Sequence, residues 1–154
     1  ITGAPVAAFT ANGNGDVNAI DATNTTVYAG GRFTAINSTT RVGLVAVNGA
    51  TGAVDAGFNN QISGGIGPNG ALTVNVLELT PDNTKLVVGH TGRKIAGQDR
   101  YGIGIIDTAT KQLLPWRTRL WEDNLQYVGG IQRPFGGDMS PNGQFFVVGS
   151  GSGA

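Results

Sequence analysis

Val27-Tyr28-Ala29-Gly30-Gly31-Arg32-Phe33-Thr34 decides how this chain reads, because a reduced form of it returns twice at nearly constant spacing. Leu86-Val87-Val88-Gly89-His90 follows after about 59 residues, and Phe145-Phe146-Val147-Val148-Gly149 after about 60 more. Each is a short β-rich run closed by glycine. One offset of 59 also aligns Gly30 with Gly89, Ile36 with Ile95, Arg41 with Arg100, Gly43 with Gly102, Ala50 with Ala109 and Thr51 with Thr110. Chance does not hold one register over so many positions, so the chain is a repeat protein.

Composition sets the class. The 154 residues are 40% hydrophobic and only 13% charged, with 26 glycines, which describes a folded chain of many short strands joined by tight turns and nearly free of helix. Ten basic residues balance ten acidic ones, so no net field draws in nucleic acid. Without cysteine, disulfides, thiolate metal sites and cysteine nucleophiles are excluded, and one histidine, His90, limits the remaining options. No apolar run approaches the ~20 residues that span a bilayer. Arginine outnumbers lysine seven to three while Asp, Thr and Gly are plentiful, a compositional hint of a secreted bacterial protein.

Outward from the first motif, Val17 to Asp21, Thr25 to Phe33 and Arg41 to Val47 read as strands, with Ala35 to Thr40 as a polar loop. Pro5 to Phe9, Val54 to Phe58 and Leu113 to Trp116 are closing segments that each end in an aromatic residue. The second copy gives Leu72 to Thr80, Lys85 to Val88, Tyr101 to Asp107 and Gln112 to Trp116, and the third gives Gln144 to Val148 after a turn, Ser140-Pro141-Asn142-Gly143, that repeats Thr80-Pro81-Asp82-Asn83. The expected organisation is a closing strand over 1–11, a four-stranded antiparallel unit over 12–58, a loop over 59–71, a second unit over 72–116 and a partial third over 117–154. Val27, Phe33, Leu44, Val47, Leu86, Val88, Ile103, Ile105, Phe146 and Val148 are the expected core, because short apolar runs between turns are strands packed on both faces.

Tyr28-Ala29-Gly30-Gly31-Arg32-Phe33-Thr34, then Arg41 with Leu44 and Ala46, then Ala50-Thr51-Gly52 and Phe58, together resemble the roughly sixty-residue β-propeller repeat of large secreted or surface-attached bacterial proteins. The second copy departs from that pattern at His90, Gly92 and Lys111. The resemblance implies an all-β fold of about two and a half blades, an incomplete propeller whose remaining blades come from a longer chain or from other subunits. It carries no catalytic motif, and the expected function is a non-catalytic binding or assembly module, with a carbohydrate-binding propeller as the alternative and a hydrolase blade as a more distant one.

Candidate chemistry is sparse. Gly65-Ile66-Gly67-Pro68-Asn69-Gly70 satisfies a dinucleotide-binding string but lacks the flanking strand and helix that would hold a pyrophosphate. Asn12, Asn14 and Asp16 alternate like calcium ligands without the distal glutamate, so turn chemistry accounts for them and neither metal nor cofactor is expected. His90, Arg93, Lys94 and Asp99 form a polar cluster with no nucleophile, and a blade-edge loop is the expected setting. Trp116, Arg117, Arg119 and Trp121 have the composition of a surface that stacks on sugar rings or grips an anionic partner, weighed against tryptophans that belong to the core. Gly30, Arg41, Gly43, Gly89, Arg100 and Gly102 are structural repeat positions, the arginines bonding neighbouring carbonyls or carboxylates. Asn24 and Asn37 fit the glycosylation acceptor pattern in exposed turns.

Overall fold

The computed structural model describes residues 3–4, 6–65, 70–119, 121–122 and 131–153. In chain order the strands are β1 (Val17–Ala22), β2 (Thr26–Gly31), β3 (Ala35–Ile36), β4 (Thr39–Thr40), β5 (Leu44–Asn48), β6 (Ile62–Gly65), β7 (Val74–Leu79), β8 (Lys85–His90), β9 (Gly92–Ile95), β10 (Gln98–Asp99), β11 (Ile103–Asp107), β12 (Ile131–Met139) and β13 (Phe146–Gly153). Among the described residues there is no helix, and so none long and apolar enough to cross a membrane. The chain is all-β and built from several small antiparallel sheets.

Three of these sheets repeat one plan. Sheet one runs β1-β2-β5, sheet two β7-β8-β11, and sheet three β12-β13. In each, the first strand carries an irregularity at the same place, between Val17 and Ala19, Val74 and Val76, and Pro134 and Gly136. That extra residue bends the strand and strengthens its twist. The first strands then lie side by side, β1 against β7 and β7 against β12.

The main sheets of the units at 12–58 and 72–116 have three strands each, not four. The fourth segment makes only an isolated bridge, Val47 with Val54 and Ile106 with Leu113. The same bend precedes it in both units: Gly52 and Lys111, 59 residues apart, both hold positive φ, at 75° and 61°. Asn48 Oδ1 and Asp107 Oδ1 accept the backbone N–H of Thr51 and Thr110, so the same turn forms twice.

The polar loops of the two units are hairpins. Asn37 and Ser38 between β3 and β4, like Ala96 and Gly97 between β9 and β10, have positive φ at both turn positions, the geometry whose twist suits a two-residue hairpin. The expectation of a plain loop over 59–71 is corrected here. Residues Ile62–Gly65 form β6, which pairs with β9 as Ile62 with Ile95, just as Gly13 bridges Ile36 in the first unit. This pairing spans about thirty residues of sequence, and so leaves no local signature beyond one isoleucine. The dinucleotide-like string at 65–70 lies mostly outside the described residues, and Gly65 itself is strand.

Between sheets one and two sits the largest apolar cluster: Tyr28, Leu44, Ala46 and Phe58 from the first unit, with Ile62 of β6, meet Val74, Leu77, Leu79, Leu86, Val88, Ile95 and Ile106 from the second. Tyr28 and Phe58 have ring centroids 5.5 Å apart in a tilted arrangement that adds to the area they bury. Of the expected core, Phe33, Leu44, Val47, Leu86, Val88 and Ile103 are buried, whereas Val27, Ile105, Phe146 and Val148 are half-buried. Those four lie on faces that a neighbouring sheet covers incompletely.

Candidate functional site

The structure explains each recurring glycine by what sits on it. An added Cβ at Gly30 would run into Val74 of the following sheet, and one at Gly89 would meet Val76 at 2.9 Å and Pro134 of the following sheet at 3.1 Å. Val74 and Pro134 occupy the same place in their strands, so the glycine is a flat seat for the next sheet. Gly43 and Gly102 hold φ near 71° and 75°, and beneath them pack Ile62 and Trp121, again 59 residues apart.

Arg41 and Arg100 are buried and bond carbonyls in matching fashion. Arg41 Nη1 donates to Thr40 O and Nη2 to Asp55 O, while Arg100 Nη1 donates to Asp99 O at 2.7 Å and Nη2 to Leu114 O at 2.6 Å. Each guanidinium thereby ties the hairpin to the closing segment. Burial, helped by nearby Arg117, lowers the pKa of Arg100.

The four residues with a binding composition are divided by the structure. Trp121 is corrected as a ligand-binding residue: it is 1% exposed and fills the position under Gly102 that Ile62 fills under Gly43. Trp116 is 47% exposed and stands at the rim of a cavity of about 410 Å³ between sheets two and three. Val87, Ile103, Ile105, Phe146 and Val148 line that cavity. At the offset of 59, the place of Phe58, which packs between sheets one and two, is taken here by Arg117. Arg117 instead turns to Glu122 at 3.8 Å, and Arg119 Nε donates to the same carboxylate at 2.8 Å. One glutamate thus pairs with both cations, and both guanidinium groups stay largely exposed to solvent.

A polar cleft of about 260 Å³ opens where the first strands of the sheets meet, lined by Asp16, Asn18, Arg32, Thr73, Asn75 and Phe135. Here Asn18 Nδ2 donates to Thr73 Oγ1 at 2.9 Å and Asn75 Nδ2 to Pro134 O at 3.0 Å, each reaching from one sheet to the next. Asp21 Oδ2 likewise accepts the Leu79 N–H at 2.6 Å. Sequence reasoning missed these three. The signal was their placement at equivalent points of β1 and β7, an offset of 57 that the dominant offset of 59 conceals. Asp21, Glu78 and Asp138 form a row at equivalent points of the three first strands, and burial together with the two flanking carboxylates raises the pKa of Glu78.

His90 belongs to no exposed loop. It is fully buried, its Nδ1 accepts the Gly92 N–H at 3.0 Å, and its Nε2 has no hydrogen-bond partner among the described residues. The proton therefore sits on Nε2, and burial lowers the pKa to about 4, with the Arg100 backbone opposing weakly. The polar cluster expected around it reduces to one exposed pair, Lys94 with Asp99 at 3.1 Å.

The alternating oxygens of the first turn do not converge. Asn14 Oδ1 accepts the N–H groups of Thr34 and Ala35, and Asn12 donates its own N–H to Asn37 Oδ1. Asn37 is corrected as a glycosylation acceptor, because its Nδ2 donates to both Thr10 O and Gly52 O and its backbone is held at φ 48°. Asn24 lies exposed in the turn between β1 and β2. Among the described residues no group of three or more His, Asp or Glu side chains is placed to hold a metal ion.

Comparison with protein-family models, with curated proteins and with solved structures finds no match.

Proposed function

We propose that this chain is a propeller segment serving as a non-catalytic binding or assembly module of a secreted or cell-surface protein. The observation that carries this reading is the repeated step from sheet to sheet. Val74 seats on Gly30 and Pro134 on Gly89, Asn18 and Asn75 span the two junctions, and the first strands run side by side while the later strands of each sheet spread away from them. Blades following one another round an axis have this organisation. Further blades, from a longer chain or from other subunits, extend the row. In support of a non-catalytic role, the histidine is buried and neutral rather than placed in a cleft beside a nucleophile.

A second reading, a carbohydrate-binding propeller, is favoured by Trp116 alone, a half-exposed indole at the mouth of an apolar cavity. A hydrolase blade has less behind it. A crystal structure would test the architecture: radial sheets around a common axis support the propeller, and two sheets stacked face to face as a sandwich overturn it. Glycan-array screening separates the two functions. Absence of binding favours assembly, whereas binding that Trp116→Ala abolishes favours the carbohydrate reading.

A further inference from the structure

The irregularities in the three first strands place their extra residues at equivalent points, and all of these residues line one cleft. They are Asn18 in β1, Asn75 in β7 and Phe135 in β12, each skipped by the pairing of its strand with the next. An extra residue of this kind has its side chain re-aimed, here toward the polar cleft of about 260 Å³ whose lining Asp16, Arg32 and Thr73 complete. That lining comes from three consecutive sheets and needs nothing from beyond them.

A chain of hydrogen bonds fixes what the cleft offers. Pro134 O can only accept, so Asn75 presents Nδ2 to it, at 3.0 Å, and turns Oδ1 to Thr73. Thr73 Oγ1 donates to that Oδ1 at 3.3 Å and therefore accepts from Asn18 Nδ2 at 2.9 Å. The chain ends at Asn18 Oδ1, an acceptor with no partner among the described residues. On the same cleft stand Asp16 and Arg32, whose backbones are joined by the Arg32 N–H donating to Asp16 O at 2.8 Å. Both side chains are exposed, and neither forms an ion pair among the described residues. The cleft thus has acceptors in Asp16 and Asn18 and a donor in Arg32. Phe135 adds an apolar wall: it is 52% exposed, and its ring rests over Gly151, where an added Cβ would stand 3.0 Å away.

We infer that this cleft binds a free α-amino acid with an apolar or aromatic side chain, as its zwitterion. The α-ammonium brings three N–H donors and a positive charge to the Asp16 carboxylate and Asn18 Oδ1, and the α-carboxylate takes the guanidinium fork of Arg32. The ligand side chain lies on the ring of Phe135. Charge selects this class: a simple anion is repelled by Asp16 and a simple cation by Arg32, whereas a zwitterion suits both. Size agrees, since about 260 Å³ falls just under the ~300–1,000 Å³ of pockets for drug-sized ligands. A sugar ring is neutral too, but its hydroxyls bring no charge to groups that each carry a full one. The inference names the ligand of the module proposed above, and rests on that module having a binding role.

The test is an NMR titration of the isotope-labelled chain with L-phenylalanine. N-acetyl-phenylalanine, which lacks the ammonium, phenylalaninamide, which lacks the carboxylate, and glucose are the comparisons. L-phenylalanine should shift the signals of Asp16, Asn18, Arg32 and Phe135 and leave Trp116 unmoved, and either analogue should bind about tenfold more weakly. Asp16→Asn should erase the preference over N-acetyl-phenylalanine, Arg32→Gln the preference over phenylalaninamide, and Phe135→Ala should weaken all three ligands. These side chains are exposed, so the variants should keep the wild-type spectrum elsewhere. No shift with L-phenylalanine, shifts confined to another region, analogues that bind equally well, or glucose moving the same signals in place of the amino acid would each overturn the inference. Such a failure leaves the sheets and an assembly role standing, whereas stacked sheets in a crystal structure would overturn the propeller and leave any measured binding in place.

Discussion

At the scale of single residues, the repeat preserves contacts more faithfully than identities. Gly30 and Gly89 are conserved between copies because the next sheet presses on them, so Gly89→Ala should destabilise the chain by about 1–3 kcal/mol through overpacking. Gly136→Ala, where an added Cβ has nothing within 4 Å, should be close to neutral. Urea unfolding of the two variants makes the comparison. His90 makes stability depend on pH. Its folded pKa near 4 lies below the ordinary 6.5, so the unfolded chain binds the proton more readily; the stabilisation is complete above about 6.5 and is lost as pH falls toward 4. With full burial the change amounts to about 3 kcal/mol. Thermal melts between pH 7 and 4 should show this limb in the wild type and not in His90→Gln, whatever the variant's absolute stability. Glu78 works in the opposite direction. Its raised pKa means that the folded state resists the charge, so Glu78→Gln should raise the melting temperature at neutral pH and lose that advantage as pH falls through the carboxylate range.

Among elements, the paired hairpins show how local chemistry and register cooperate. The first turn uses Asn37-Ser38 and the second Ala96-Gly97, and both turns require positive φ at their two positions. Alanine at φ 49° is strained where asparagine is tolerated, so Ala96→Asn should stabilise the β9–β10 hairpin by up to about 1 kcal/mol. Ala96 is exposed, which keeps the side-chain change from disturbing packing, and the midpoint of urea unfolding reads the gain. The same hairpin shows why β6 escaped the sequence. Its partner β9 is set by a pairing remote in the chain, and Ile62-Ser63-Gly64-Gly65 carries too little alternation to announce a strand.

Over the whole molecule, cover is unequal. Sheet two has a neighbour on each side, whereas sheets one and three each have one. Native-state hydrogen exchange should therefore be slowest in β7 and β8 and fastest in β1 and β13, since opening free energy follows buried apolar contact. Uniform protection across all three sheets would show that the outer faces are covered in solution. The cavity beside Trp116 is the second inequality. Arg117→Phe, which restores the residue type found between sheets one and two, should fill part of it and stabilise the chain, as a shifted thermal midpoint would show.

The linear chain was enough to establish the all-β class and to place β1, β2, β5, β7, β8, β11 and part of β13, because those depend on local chemistry: β-branched runs, and glycine and asparagine where φ is positive. Folding in three dimensions decided everything that depends on what lies opposite. Trp121 went to the core while Trp116 stayed at the surface, the amide of Asn37 was committed to two carbonyls, and His90 was buried as a neutral base. The physical reason is the same in each case. A strand that is apolar on both sides states that it can be covered, but which face is covered, and by which side chain, is set by the neighbouring sheet, whose residues lie some sixty positions away.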